Sequence, residues 1–298
     1  MRISNNTIVE ASIINIQTAN DRFIKAQSTL ANGKTLNQPS DDPSGLSQAL
    51  SIHTTLDNLD QYSRNLDDAT GFVGLTDTAL TQLSNQIRAA RQLALQGAND
   101  ALSTDERTAL AEQAKQVSVE IAQIANSTYG SRFIFGGQRT TQPPFVPDNN
   151  GSYVYQGGTQ ATQDANLTVA VAENENIVVN ASGDRVFTPV FQALAALQAD
   201  LNNGQSSTIS RVDVTAIDDA LKNVTTIHAE FGANAQRLTQ ASDRLTDKKT
   251  HLTTLLSKIE DADLPQTIMD LKSSEMAYQA SLTATSRSFA ISLMDFLK

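Results

Sequence analysis

Apolar residues recur every seven positions through most of this chain, at alternating four- and three-residue steps. Such spacing lays a stripe along one side of a helix, and a stripe needs a partner helix to cover it. Between positions 46 and 96 one column reads Ile52, Leu59, Leu66, Val73, Leu80, Ile87 and Ala94. Its companion, Tyr62, Ala69, Thr76, Leu83 and Ala90, is smaller and suits close helix approach. The spacing predicts one helix several times the usual length of about 11 to 12 residues. Gly71 and Gly74 could interrupt it, each costing about 1 kcal/mol relative to alanine.

The repeat recurs elsewhere. Near the start, Val9, Ile13, Ile16, Phe23 and Leu30 share a stripe with Asn20 and Gln27. After a break at Gly97, either Ser103 with Glu106 or Thr104 can cap a second helix, along which Leu110, Ala114, Val117, Ile121 and Ile124 continue the spacing. From Ile217 a third stripe runs Leu221, Val224, His228, Phe231, Ala235, Leu238, Ser242, Leu245, Lys249, Leu252, Leu256 and Ile259. Pro265 then marks a break before a last helix, where Ile268, Leu282, Phe289 and Phe296 share one column beside Leu271 and Tyr278.

The middle of the chain follows a different pattern. Phe133-Ile134-Phe135-Gly136-Gly137, Pro143-Pro144-Phe145, Tyr153-Val154-Tyr155, the alternation Leu167, Val169, Val171, and Ile177 to Val179 are aromatic and β-branched runs separated by turn residues. Asn150-Gly151 suits a hairpin turn. Residues 131 to about 188 are therefore expected to form a small β-rich insert, and Val190, Leu194, Leu197 and Leu201 a short helix after it. The fold class predicted is mainly α: a long antiparallel helical rod of coiled-coil type with a small β-rich insert domain in the middle. Three domains are expected: 1–40 with 265–298, 41–130 with 206–264, and 131–205.

Composition removes most chemistry. Lys and Arg number 22 against 32 Asp and Glu, for a formal charge of −10, and no stretch concentrates cations as a phosphate-tracking surface requires. There is no cysteine for disulfides, thiolate ligands or a thiol nucleophile. No apolar run is long enough to cross a bilayer, and polar residues interrupt the first nineteen positions too often for a secretory leader. Asn32-Gly33-Lys34-Thr35 matches the end of a phosphate-binding loop, but Ser28 stands where the motif needs glycine, and no strand precedes it. His228-Ala229-Glu230 lacks the cysteines of a zinc deaminase, and His228 lies on the stripe, where a seam or ring-stacked role is expected. His53 and His251 have no companion at metal-ligand spacing. The pairs Asp41-Asp42, Asp67-Asp68 and Asp218-Asp219 read as solvated faces, with Asp41 and Asp42 favourable before a helix at Pro43. No catalytic, cofactor-binding or metal-binding residue is expected, nor any cofactor, nucleic acid, membrane or small-molecule substrate.

Both ends of the chain carry apolar anchors up to Phe296 and Leu297. Fully burying one contributes about 1.5 to 3 kcal/mol, whereas fixing each residue's backbone costs about 1 to 2 kcal/mol. A lone terminal helix cannot hold itself on those terms. Residues 1 to about 40 and 265–298 are accordingly expected to be mobile in the monomer and to pair on assembly. The expected interface residues are Ile3, Val9, Ile13, Ile16, Phe23, Ile268, Leu271, Tyr278, Leu282, Phe289, Leu293 and Phe296.

Met1-Arg2-Ile3-Ser4, Ser40-Asp41-Asp42-Pro43-Ser44-Gly45 and the run Ile87 to Gln96 resemble the N-terminal part of the flagellin superfamily. Ile124 to Gly130, Phe133 to Gly137, Thr141 to Phe145 and Ser292 to Leu297 are similar to its hook–filament junction branch. The resemblance covers roughly the first 145 and last 90 residues. It implies a non-enzymatic, extracellular structural subunit of the bacterial flagellum, exported unfolded through the flagellar type III channel without a cleaved signal. It further implies self-assembly into a ring or tube of about eleven copies between another hook-associated protein and flagellin. An export chaperone would guard the C-terminal helix beforehand. A filament subunit is the alternative that the shared termini leave open.

Overall fold

The computed structural model describes residues 2–148, 152–159 and 165–296. Among them helices α1 (Arg2–Asn32), α2 (Pro43–Gly97) and α3 (Thr104–Ala125) come first. Six short strands follow: β1 (Thr128–Tyr129), β2 (Arg132–Phe133), β3 (Phe145–Pro147), β4 (Tyr153–Tyr155), β5 (Thr168–Ala172) and β6 (Glu175–Val178). Then come α4 (Gly183–Asn203), a single turn α5 (Ser206–Thr208), a π-helical turn Ile209–Asp213, α6 (Val214–Glu260) and α7 (Leu264–Phe296). The chain divides into two compact units, Met1–Asn58 with Asp247–Lys298, and Leu59–Thr246.

In the larger unit, the α2 column from Leu59 to Ala94 is buried throughout, as are Ala69, Leu83 and Ala90 beside it. Thr76 is tolerated in that seam because its hydroxyl donates to the Phe72 carbonyl one turn back, 2.9 Å away. Neither glycine interrupts α2, which runs for 55 residues. At Gly71 the missing side chain has a use: a Cβ there would stand 2.6 Å from the Tyr129 hydroxyl oxygen. The capping alternatives resolve to Ser103, whose Oγ accepts from the Glu106 amide while the Glu106 carboxylate accepts from the Ser103 amide.

The α6 stripe is displaced from its expected position. Ile217, Val224, Phe231, Leu238 and Leu245 are buried, but so are Ala220, Ile227 and Ala241, three residues after each turn's anchor. Leu221, His228, Ala235 and Ser242 are half-buried along the edge, and Lys249 is exposed. His228 is thus not ring-stacked; its Nε2 lies 2.7 Å from Asp77 Oδ1 of α2. Arg91 grips Asp218 with Nε at 2.6 Å and Nη2 at 3.2 Å. Together the two pairs set α2 and α6 antiparallel. Arg132 likewise reaches Asp68, and in the smaller unit Lys25 Nζ donates to Asp41 Oδ1 at 2.7 Å, so one member of each of the three acidic pairs ties segments together instead of merely facing solvent.

The insert is less regular than its composition suggests. Its strands form three separate antiparallel pairs, β1 with β2, β3 with β4 and β5 with β6. Ile134 and Phe135 follow β2 and are buried as core residues outside any strand. Asn150-Gly151 lies outside the described residues. Helix α4 begins at Gly183, seven residues before the expected Val190, and it supplies much of the insert's core. Phe187 and Phe191 of α4 meet Phe135, Phe145 and Tyr153 at ring-centroid distances of 4.7 to 5.5 Å. Asn126 holds β3 by donating from Nδ2 to the Phe145 carbonyl and accepting the Phe145 amide at Oδ1.

Candidate assembly interface

The smaller unit is built on α1 packed against α7. Its seam on α1 runs through Ser12, Ile16, Ala19, Phe23, Ala26 and Leu30, which are half-buried or buried. On α7 it runs through Thr267, Leu271, Ser274, Tyr278, Ser281 and Thr285. Phe23 and Tyr278 stack at the centre, with centroids 6.3 Å apart and planes within 6° of parallel. Small and hydroxylated residues fill much of the remaining seam. They permit close approach yet bury little apolar area.

A clasp fixes the base of this pair. Gly33, with φ +68°, ends α1 in the left-handed region. The chain then runs antiparallel to the α6–α7 junction: the Thr35 amide donates to the Glu260 carbonyl at 2.7 Å, and the Ala262 amide to the Gly33 carbonyl at 2.9 Å. The Glu260 carboxylate accepts from Lys34 Nζ at 2.6 Å, and its other oxygen lies 2.8 Å from His53 Nε2. Burial pushes this carboxyl up, but hydrogen bonds from Lys34 and His53 outweigh it and hold the group below its ordinary value. The residues that mimic a phosphate loop, and a histidine without a metal-spaced companion, are therefore structural groups gathered on one glutamate. Sequence spacing could not reveal this, because the partners lie more than 200 positions apart.

Of the interface residues expected from sequence, Phe23 and Tyr278 are brought into contact, and Ile16 and Leu271 are half-buried. Ile13, Ile268 and Leu282 face outward, 45%, 49% and 43% exposed. Ile24 and Leu264, which were not on that list, are 52% and 49% exposed. The side chains of Ile3, Val9, Phe289, Leu293 and Phe296 lie outside the described residues. At about 100° per residue, Ile13 and Ile24 are displaced from the α1 seam in the same rotational sense as Leu264, Ile268 and Leu282 from the α7 seam. In an antiparallel pair, equal senses fall on one face. That face therefore carries an uncovered apolar surface contributed by both ends of the chain. Ile14, Met269 and Met276, all exposed, lie nearly opposite the seam. In the larger unit Leu95 is 49% exposed.

The profile of the bacterial flagellin N-terminal helical region matches residues 3–140, and that of the bacterial flagellin C-terminal helical region residues 214–297. Flagellar hook-associated protein 3 of Escherichia coli strain K12 is 27% identical over 325 residues, covering 100% of each chain. Its counterpart in Salmonella typhimurium strain LT2 is 28% identical over 316 residues, covering 97% of this chain and 96% of the relative. The crystal structure of flagellar hook associated protein-3 from Legionella pneumophila superposes with a TM-score of 0.63 at 16% identity, covering 70% of this chain and 98% of that one. At that identity the likeness is one of fold.

Proposed function

The chain belongs to the flagellin superfamily and is a structural protein of the bacterial flagellum; from that premise we propose that it joins hook to filament, assembling with copies of itself through α1 and α7. The observation that carries this reading is the apolar face shared by Ile13, Ile24, Leu264, Ile268 and Leu282. Five large side chains exposed on one side of two adjacent helices are costly to leave in water, and exposed apolar surface gathered on one face marks interaction sites. Residues opposite the seam are apolar too, which suits a pair enclosed by neighbours on more than one side. Contacts repeated from copy to copy close into a ring or continue as a tube, and about eleven copies form the proposed ring.

In the free subunit, residues 1–40 and 265–298 are proposed to be mobile. Their seam is rich in alanine, serine and threonine, so each helix depends on neighbours for most of its burial. Residues 41–130 with 206–264 serve as the helical body and 131–205 as the insert. Export through the flagellar channel, with a chaperone on α7 beforehand, keeps the apolar ends from associating early. One ring face meets another hook-associated protein and the other meets flagellin. The relatives are structural proteins, not enzymes.

Immunogold labelling of intact cells with antibody to residues 131–188 tests the reading. A single spot where hook meets filament is expected. Label along the whole filament would make the chain a filament subunit, the alternative that the termini shared with flagellins leave open. No flagellar label, with antigen present in the cells, overturns both.

A further inference from the structure

Asp213 ends the π-helical turn Ile209–Asp213, is 1% exposed, and has an Oδ2 without a hydrogen-bond partner among the described residues. An ionised carboxylate is poorly tolerated in such a place, because no donor replaces the water it has lost. Its polar neighbour is another acid, Asp200 on the last turns of α4. No cation among the described residues compensates for the pair. Helix α5 carries no charged residue, Arg211 on the same π turn is exposed, and Asp218 of α6 is engaged with Arg91. Arg107 of α3 directs Nη1 to the Gly204 carbonyl and Nη2 to the Asp100 carbonyl, and its buried Nε has no partner. A proton on Asp213 resolves the conflict by making that buried carboxyl a donor and leaving Asp200 the acceptor.

The backbone at this point is suited to switching. The Val214 amide bonds back five residues to the Ile209 carbonyl, and a π turn holds one residue more than an α turn needs. Gly204, in the left-handed region at φ +72°, ends α4 just before it. We propose that Asp213 keeps its proton and donates it toward Asp200, and that losing it loosens the π-helical joint between α4 and α6, which makes this joint a pH-sensitive hinge within the larger unit. Burial first, then the charge and hydrogen bond of Asp200, push the Asp213 carboxyl up from 3.8 to about 6. A carboxyl raised in the folded state stabilises fully below its unfolded value, and that contribution is lost as pH rises through the folded value. The joint is therefore tightest near pH 4 and loosens through about pH 6. The inference does not depend on the flagellar reading, since both carboxyls and the π turn belong to one unit.

The test uses the dilute full-length chain, with amide exchange over residues 206–216 corrected for the intrinsic pH dependence of exchange, and the Asp213 side-chain carbon followed by NMR titration. Between pH 4.5 and 7.5, protection in the unmodified protein should fall by roughly twentyfold, as a shift from 3.8 to about 6 requires. Asp213→Asn, which is neutral at every pH, should give a flat profile. Asp200→Asn should move the transition to lower pH, because an amide can donate to ionised Asp213; this second variant decides the matter if the first fails to fold. An Asp213 carbon that titrates below about pH 4.5, or identical pH profiles in the unmodified protein and in whichever variants fold, overturns the proposal.

Discussion

Glu260 is read through its partners more than through its own position. Lys34 and His53 are each nearly half exposed, while the carboxylate they share is 10% exposed. With Glu260 ionised, His53 Nε2 must carry the hydrogen it donates. Removing the carboxylate leaves two partners that water can reach, so Glu260→Ala should destabilise the smaller unit by only about 1 to 2 kcal/mol. Amide exchange at residues 28–36 in the assembled protein, where α1 and α7 are paired, would read that loss. The pH sign is opposite to that at Asp213. A carboxyl held below its ordinary value stabilises above that value and loses its contribution as pH falls, so protection of this loop should decline below about pH 4.5, and Glu260→Gln should flatten the decline. The two carboxyls thus bring opposite acid responses to separate units. At this scale the sequence was least legible. Lys34 lay in a string that looked like a phosphate loop, His53 looked isolated, and Asp213 carried no local signal at all.

At the scale of elements, helix existence was legible and helix facing was legible only in part. The α2 column came through whole because every member is apolar and mostly large. On α6 the expected edge column won over Ala220 and Ala241, because counting bulky residues undervalues small ones. Small side chains let α6 approach its neighbours closely, so they end up more buried than Leu221 or Ala235. Phe231→Ala should accordingly cost about 3 to 5 kcal/mol in urea unfolding. Leu221→Ala, at the half-buried edge, should cost well below that range. Ala220→Leu should cost about 1 to 3 kcal/mol by overpacking, although it adds apolar surface. Equal costs for Phe231→Ala and Leu221→Ala would refute the displaced seam. In α3 the capping box was legible at fixed spacing, and Ser103→Ala should cost about 1 kcal/mol. Helix α4 began earlier than expected because Phe187 precedes the leucine run and Pro189 sits inside the helix, where proline ordinarily counts against one. Within the insert, strand composition did not distinguish Ile134 and Phe135 from strand residues, since both settings select bulky apolar side chains.

For the whole molecule, the deciding question is which apolar residues serve folding and which serve assembly, and the terminal pair separates them by face. Phe23 and Tyr278 face each other, so changing either should disturb the pair itself. Ile13 and Ile268 face outward, so a charge at both should leave the subunit's own contacts in place while placing two carboxylates where a neighbouring copy must pack. A charge buried in an interface without a partner is strongly disfavoured, which makes Ile13→Asp with Ile268→Asp a selective block to self-assembly. The doubly substituted chain should keep the far-ultraviolet circular dichroism and thermal midpoint of the unmodified subunit. Under conditions where the unmodified protein forms large species by light scattering, it should sediment as a monomer. Ile13→Leu with Ile268→Leu should restore assembly, since the face needs apolar area and not particular shapes. Assembly that persists undiminished in the aspartate variant would move the interface away from this face. Loss of the subunit's own stability would instead place Ile13 and Ile268 in its fold.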